Sequence, residues 1–209
     1  MLVGRVALLV VGFEKSYNLQ PSTDNRQLYF CGFHRIFPAL ITSTAAPVRP
    51  VPTEADFQRL AATLDGELFT DQTQRTLYAT DASAYREMPQ AVAMPRSVDD
   101  LKKLIAFANQ HQTSLIPRTA GTSLAGQVVG AGIVVDVSKY FTGILEFNLS
   151  ERWVRVQPGV VRDELNLFLK PHGLLFGPET STANRAMIGG MVGNNSCGSN
   201  SVVYGSVRE

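Results

Sequence analysis

Cysteine and histidine are too scarce in this sequence to build a disulfide framework or a metal centre. The two cysteines, Cys31 and Cys197, stand far apart in dissimilar contexts, which points to a reducing compartment, the cytoplasm. The three histidines, His34, His111 and His172, share no ligand spacing, so no metal ligands are assigned. A dominant charge is missing too. Lys and Arg number 19 against 18 Asp and Glu, a net charge of +1 without a basic cluster, and this argues against nucleic acid as a partner. Long apolar runs are also lacking. The longest in the first fifty residues, Val6 to Phe13, falls well short of the roughly 20 residues that cross a bilayer, so no membrane span is expected. Glu14 and Lys15 end that run and no clear small-residue cleavage site follows, which leaves only a faint likeness to a secretion signal.

What is present is ample apolar material, 44% of 209 residues, enough for a real core. It is unevenly organised. Residues 1–52 show no sustained periodicity and end in Pro47, Pro50 and Pro52, so they read as a poorly ordered extension and linker, or as the product of a start codon assigned too far upstream. Residues 53–209 read as the folded part. Thr53 and Asp56 have the spacing of a capping box ahead of Phe57, Leu60, Ala61 and Leu64 on one helical face, with Gly66 as the stop. Ser97 and Asp100 cap a second helix whose buried face is Val98, Leu101, Leu104, Ile105 and Ala108, with Asp99 placed to pair with Lys103. Strands are expected at Ser114 to Pro117 and Ile133 to Val137, a hairpin at Ile144 to Phe147 with Trp153 to Gln157, and a helix from Val161 toward Gly173. The fold class is α+β with a mixed sheet.

Two glycine-rich stretches carry the chemistry. The first, Arg118-Thr119-Ala120-Gly121-Thr122-Ser123-Leu124 and on to Gly126, lies between two expected strands. Its glycines and small residues let successive N–H groups converge on an anion such as a phosphate, and Arg118 adds a permanent charge. It is not a P-loop, because Gln127 and Val128 stand where Lys and Ser or Thr are required. Gly130-Ala131-Gly132 is not a dinucleotide fingerprint either, since Val135 replaces the third glycine and a strand follows instead of a helix. The second stretch runs from Gly177-Pro178 through Ser181 to Gly189-Gly190, Asn194, Ser196 and Gly198. Its small and amide side chains suit a flat ring with heteroatoms. Two readings are open for Gly189-Gly190, a ring approached by backbone or a tight helix contact.

Taken in order, Pro117 to Leu124, Pro158-Gly159-Val160 and Ile188-Gly189-Gly190 with Asn194 resemble the FAD-binding domain of the p-cresol methylhydroxylase and vanillyl-alcohol oxidase superfamily. The run Ser181 to Arg185, Asn195 to Gly198 and Tyr204-Gly205-Ser206 is similar to FAD-linked D-2-hydroxy-acid dehydrogenases of the D-lactate, glycolate or D-2-hydroxyglutarate type. The resemblance covers about residues 53–209 and implies a PCMH-type fold, incomplete at its C-terminal end, with FAD as cofactor. It implies that Arg118, Thr119, Ala120, Gly121, Thr122, Ser123 and Leu124 hold the pyrophosphate. Pro178, Ser181, Gly189, Gly190, Asn194, Ser196 and Gly198 would line the flavin. Thr122 occupies the position where some relatives carry the histidine that bonds to FAD, so noncovalent binding is expected.

The implied chemistry is oxidation of a small-molecule 2-hydroxy acid, with hydride passing to the flavin. The family positions for the base and for the carboxylate-binding cation lie beyond Glu209, as does any iron–sulfur region, so no catalytic residue is assigned and no turnover is expected of the chain alone. The electron acceptor is unassigned. A non-redox FAD transferase of the same superfamily and a non-catalytic remnant are the alternatives. Elsewhere, His111 and His172 read as helix-end residues, Asp99-Asp100 and Asp163-Glu164 as first-turn caps, Cys197 as a small packing residue and Trp153 as cover for a sheet face.

Overall fold

A computed structural model describes the backbone of residues 2–3 and 5–8 and the whole of residues 51–208. Cys31, His34 and the proline-rich stretch from Ala45 to Pro50 lie outside the described residues.

The first unit is built on a four-stranded mixed sheet. Strands β3 (Glu67–Phe69), β4 (Ala91–Met94), β5 (Leu115–Arg118) and β6 (Ile133–Asp136) lie in the order β3-β4-β6-β5. Strands β4, β6 and β5 are parallel and β3 is antiparallel at the edge. The central strands are short β-branched and alanine runs buried on both faces, the pattern expected of parallel strands. On one face Ala91, Ala93, Ile133 and Val135 meet Phe57 and Leu60 of α1 (Glu54–Ala61) and Leu101, Leu104 and Phe107 of α3 (Val98–His111). Helix α2 (Gln72–Leu77), which periodicity did not reveal, connects β3 toward β4.

Local signals set both long helices, with informative departures. The capping box at Thr53 and Asp56 is present in both directions. Helix α1 nevertheless stops at Ala61, before Gly66. Gly66 is needed for a different reason: a Cβ there would collide with the backbone of Met94 and Pro95. In α3 the buried stripe is turned toward Phe107, whose ring meets Phe57 at 5.5 Å, leaving Val98 exposed. Asp99 pairs with Lys102 at 2.8 Å, not with Lys103, whose ammonium reaches the Thr63 carbonyl at 2.6 Å.

Asp100 is not merely a cap. It is fully buried and its carboxylate accepts N–H bonds from Asp65, Gly66 and Arg96, each at 2.9 Å, while its own N–H donates to Ser97 Oγ. One charge thereby ties the start of α3 to the entrance of β3.

The second unit surrounds the hairpin of β7 (Ile144–Asn148) and β8 (Trp153–Val156), antiparallel with a bulge between Ile144 and Glu146. Strand β2 (Arg5–Leu8) runs parallel to β8, and β1 (Leu2–Val3) runs parallel to β9 (Leu174–Leu175). Helix α4 (Arg162–Leu169) is followed by a 3-10 turn, Lys170–His172, that closes on Gly173 with φ +68°. Helices α5 (Ile188–Gly193) and α6 (Ser201–Tyr204) complete the described chain. Val154, Val156, Leu165, Leu169, Ile188 and Met191 form this unit's core. Trp153 is only half-buried: its indole N–H donates to Glu151 at 2.6 Å and the Arg155 guanidinium lies over the ring at 5.7 Å.

Burial alone would raise the Asp100 carboxyl, but the N–H donors of Arg96, Asp65 and Gly66 outweigh it and hold the group below its ordinary value. Its contribution to stability is complete above the unfolded carboxylate value of about 3.9 and is lost as pH falls through the lower folded value. Replacing Asp100 by Ala strands those donors, and chemical denaturation at pH 7 is expected to show a loss of about 3 kcal/mol that shrinks toward acid pH.

Candidate functional site

The first glycine-rich loop leaves the carboxyl edge of the sheet, where Arg118 of β5 lies beside Asp136 of β6. In open parallel sheets this edge is where ligands bind. Gly121 and Gly126 both have left-handed backbone, φ +66° and +70°. Among the described residues, the N–H groups of Ala120 through Leu124 meet no acceptor. A run of free backbone donors in a glycine-rich loop is what an anion-binding nest requires. Ser123 Oγ stiffens the far side, accepting from the N–H groups of Ala125 at 3.2 Å and Gln127 at 3.4 Å.

Arg118 supports the loop from beneath. Its guanidinium donates to the Thr80 carbonyl at 2.7 Å, lies 5.1 Å from the centre of the Tyr78 ring, and fills the space a Cβ on Gly121 would need, 2.5 Å away. The Tyr78 hydroxyl donates to Asp136 Oδ2 at 2.6 Å. Burial and that acceptor push the hydroxyl above the ordinary tyrosine range.

Sequence reasoning missed the strip from Thr80 to Tyr85, which follows the loop along its length. The Ala82 N–H donates to the Gly121 carbonyl at 3.2 Å, and the Tyr85 ring lies where a Cβ on Gly126 would sit, 2.7 Å away. Asp81 Oδ1 accepts from the Ser83 N–H at 2.8 Å, while its Oδ2 is buried without a partner among the described residues. Asp81-Ala82-Ser83 signals an ordinary turn. Nothing in its composition says which loop it will face.

The second stretch meets the first directly. Helix α5 sets Gly189 against Pro158 and Gly190 against Thr119, so that a Cβ on either would lie 2.5 Å from Pro158 Cβ or 2.6 Å from Thr119 Oγ1. Both glycines thus make close contacts, Gly189 with Pro158 and Gly190 with Thr119. Side chains extend the junction: Gln127 Nε2 donates to Asn194 Oδ1 at 2.9 Å, and Asn194 Nδ2 donates to the buried Ser196 Oγ at 3.3 Å. Gly198 packs on the Glu179 carbonyl next to buried Pro178, where Asn200 donates to Glu179 at 2.7 Å. Ser181 is exposed on a turn that hydrogen-bonds to the start of α4 through Ala183 and Ala186, and is not gathered with the others. Cys197 is exposed, so it is not the packing residue expected.

Other candidates have structural partners. The His111 ring stacks on Phe107 at 4.3 Å at the end of α3, which leads into the opposite end of β5 from the loop. His172 lies 4.6 Å from Phe147 and 6.1 Å from Phe168. The helix-end reading of both holds in position, but their contacts are aromatic. Asp163 pairs with Arg162 at 2.9 Å, and α4 has no side-chain cap. Among the described residues no group of His, Cys, Asp and Glu is placed to hold a metal, and no helix is long and apolar enough to cross a membrane.

A family model described as an FAD binding domain matches residues 89–209, which include both glycine-rich stretches. The chain belongs to the FAD-binding domain family. It is 47% identical over 144 residues to a D-2-hydroxyglutarate dehydrogenase of Haemophilus influenzae, covering 68% of this chain and 14% of that protein. It is 43% identical over 170 residues to a D-2-hydroxyglutarate dehydrogenase of Pseudomonas putida, covering 80% and 17%. The chain thus spans less than a fifth of the length of these relatives. The solved structure of an alkyldihydroxyacetonephosphate synthase superposes with a TM-score of 0.66 at 20% identity, over 77% of this chain and 33% of that one. The fold is the PCMH-type FAD-binding α+β fold that the glycine motifs implied. The residues present fit FAD: free N–H donors suit its pyrophosphate, and small residues with amides suit its ring system.

Tyr78→Phe removes the donor to Asp136 Oδ2 while keeping the ring under Arg118. A loss of about 1–3 kcal/mol in denaturant unfolding is expected at neutral pH. Because the folded hydroxyl titrates higher than the unfolded one, this contribution is whole below pH of about 10 and is lost as pH rises through the folded value. The difference between Tyr78→Phe and the unsubstituted chain should therefore narrow at strongly alkaline pH.

Proposed function

We propose that residues 53–209 form the FAD-holding part of a flavin-dependent dehydrogenase that oxidises a D-2-hydroxy acid of the D-2-hydroxyglutarate kind, preceded by an extension, residues 1–52, whose strands β1 and β2 pair with β9 and β8. The observation that carries this is the joining of the free N–H groups of Ala120 to Leu124 to a stretch of small and amide residues through the Thr119–Gly190 contact. The two relatives named D-2-hydroxyglutarate dehydrogenase support the substrate class.

In this reading the N–H groups of Ala120, Gly121, Thr122, Ser123 and Leu124 bind the pyrophosphate. Thr119 sets the distance to α5, and Arg118 contributes charge from below the loop without leaving Thr80 and Tyr78. Pro178, Gly189, Gly190, Asn194, Ser196 and Gly198 line the ring system, with Ser181 at the margin of the same stretch. FAD, when bound, supplies the hydride acceptor. Binding is noncovalent, because Thr122 offers no imidazole and the loop from Arg118 to Gly130 contains neither His nor Cys. Neither glycine-rich stretch contains a histidine that could act as general base. The chain by itself is therefore expected to bind flavin without turnover. The sparse cysteines favour a cytoplasmic setting.

Titration of the purified 209-residue chain with FAD tests the reading. Visible flavin bands that stay with the protein through gel filtration and pass to the supernatant on acid precipitation are expected, and a protein that gains no bands would refute it. Gly121→Ala imposes left-handed backbone on a residue with a Cβ, at about 1–2 kcal/mol, and drives that Cβ into Arg118, so FAD affinity should fall at least about tenfold. Bleaching of the bound flavin by D-2-hydroxyglutarate in the chain alone would overturn the absence of turnover.

A further inference from the structure

Gln127 belongs to neither set of residues that touches the cofactor in the reading above, yet it is the side chain that spans the two. Its Oε1 accepts from the Ser123 hydroxyl at 2.8 Å within the first loop. Its Nε2 donates across 67 positions of sequence to Asn194 Oδ1 at 2.9 Å, and Asn194 in turn donates to Ser196 at 3.3 Å. Ser123, Gln127, Asn194 and Ser196 thus form one hydrogen-bonded chain from the anion nest to the end of α5. The Thr119–Gly190 contact fixes how closely the loop and helix approach at one point. A single contact still permits rocking, and the Gln127–Asn194 bond, made beyond the glycine at the end of the loop, is a second point of attachment.

We propose that Gln127 is a positioning residue that latches the anion-binding loop to the ring-binding helix, so that both halves of FAD meet a preset spacing. This rests on the FAD reading. A ligand that bridges two surfaces gains from their being held at the right separation, because the ordering cost is met before binding. A ligand that touches only one of them gains nothing from the latch. FAD is of the first kind, and ADP, which carries only the adenosine and pyrophosphate half, is of the second.

The experiment measures dissociation constants of FAD and ADP, by calorimetry at fixed salt, for the full chain and for Gln127→Ala, Asn194→Ala and the double variant. Gln127→Ala is expected to raise the FAD constant about tenfold, the scale of one or two hydrogen bonds, and to change the ADP constant by less than about twofold. Adding Asn194→Ala to Gln127→Ala should cost less than Asn194→Ala costs alone, by the part of its loss that runs through the shared bond, the rest being its own contact with the ring system. Retained ADP binding also shows that the variants fold. Equal weakening of FAD and ADP, an unchanged FAD constant, or single effects that multiply in the double variant would each overturn the proposal. If the unsubstituted chain bound ADP but not FAD, or neither, the functional reading would fail and the latch with it.

Discussion

Helix α5 can reach the first loop only because two of its residues have no side chain. Gly189 lets it rest on Pro158 and Gly190 lets it rest on Thr119; a methyl at position 189 would meet the Pro158 ring and backbone, and one at position 190 would displace the Thr119 hydroxyl. Everything proposed for the site depends on this approach. It sets the free N–H groups of the first loop next to a stretch of small residues and amides, and it brings Asn194 within reach of Gln127. Packed interiors do not deform continuously, so a contact this close sets the distance between two otherwise separate units of the fold.

The loop itself is shaped by what lies beneath and beside it. Arg118, which sequence alone suggests as a phosphate ligand, has its guanidinium engaged by the Thr80 carbonyl and the Tyr78 face. Its charge still lies beside Gly121, so it can favour an anion at the loop electrostatically while acting as a brace. The strip from Thr80 to Tyr85 supplies the loop's other wall through Ala82 and Tyr85. A loop held on two sides has less freedom to lose when a ligand arrives, which is the usual basis of preorganised binding.

Residues whose structure depends on near neighbours were legible in the sequence. The Thr53–Asp56 capping box, the Ser97 cap of α3 and the β7–β8 hairpin follow from spacing, because their hydrogen bonds are local in the chain, and the two strands flanking the first loop follow from their apolar runs. The ordered glycine motifs were legible in the same way and led to the FAD-binding family that residues 89–209 match. Less readable were features decided across the fold. Asp100 looks like a first-turn acid and is a buried link to Asp65 and Gly66; Gly66 looks like a helix stop and is a close approach to Met94. Cys197 looks like packing and is exposed.

The sequence by itself determined the starts of α1, α3 and α4, the β7–β8 hairpin and the two glycine-rich stretches proposed to hold an anion and a flat ring, since these rest on backbone freedom at glycine and on local periodicity. Only the tertiary structure decided that the two stretches meet at Thr119 and Gly190, that Arg118 braces the loop, and that Gln127 bridges to Asn194. Those relations join residues tens of positions apart, as the 67 between Gln127 and Asn194 show. They exist because sheet order and the helix contact at Gly189 and Gly190 place the groups together, and neither property is written in any local pattern of residues.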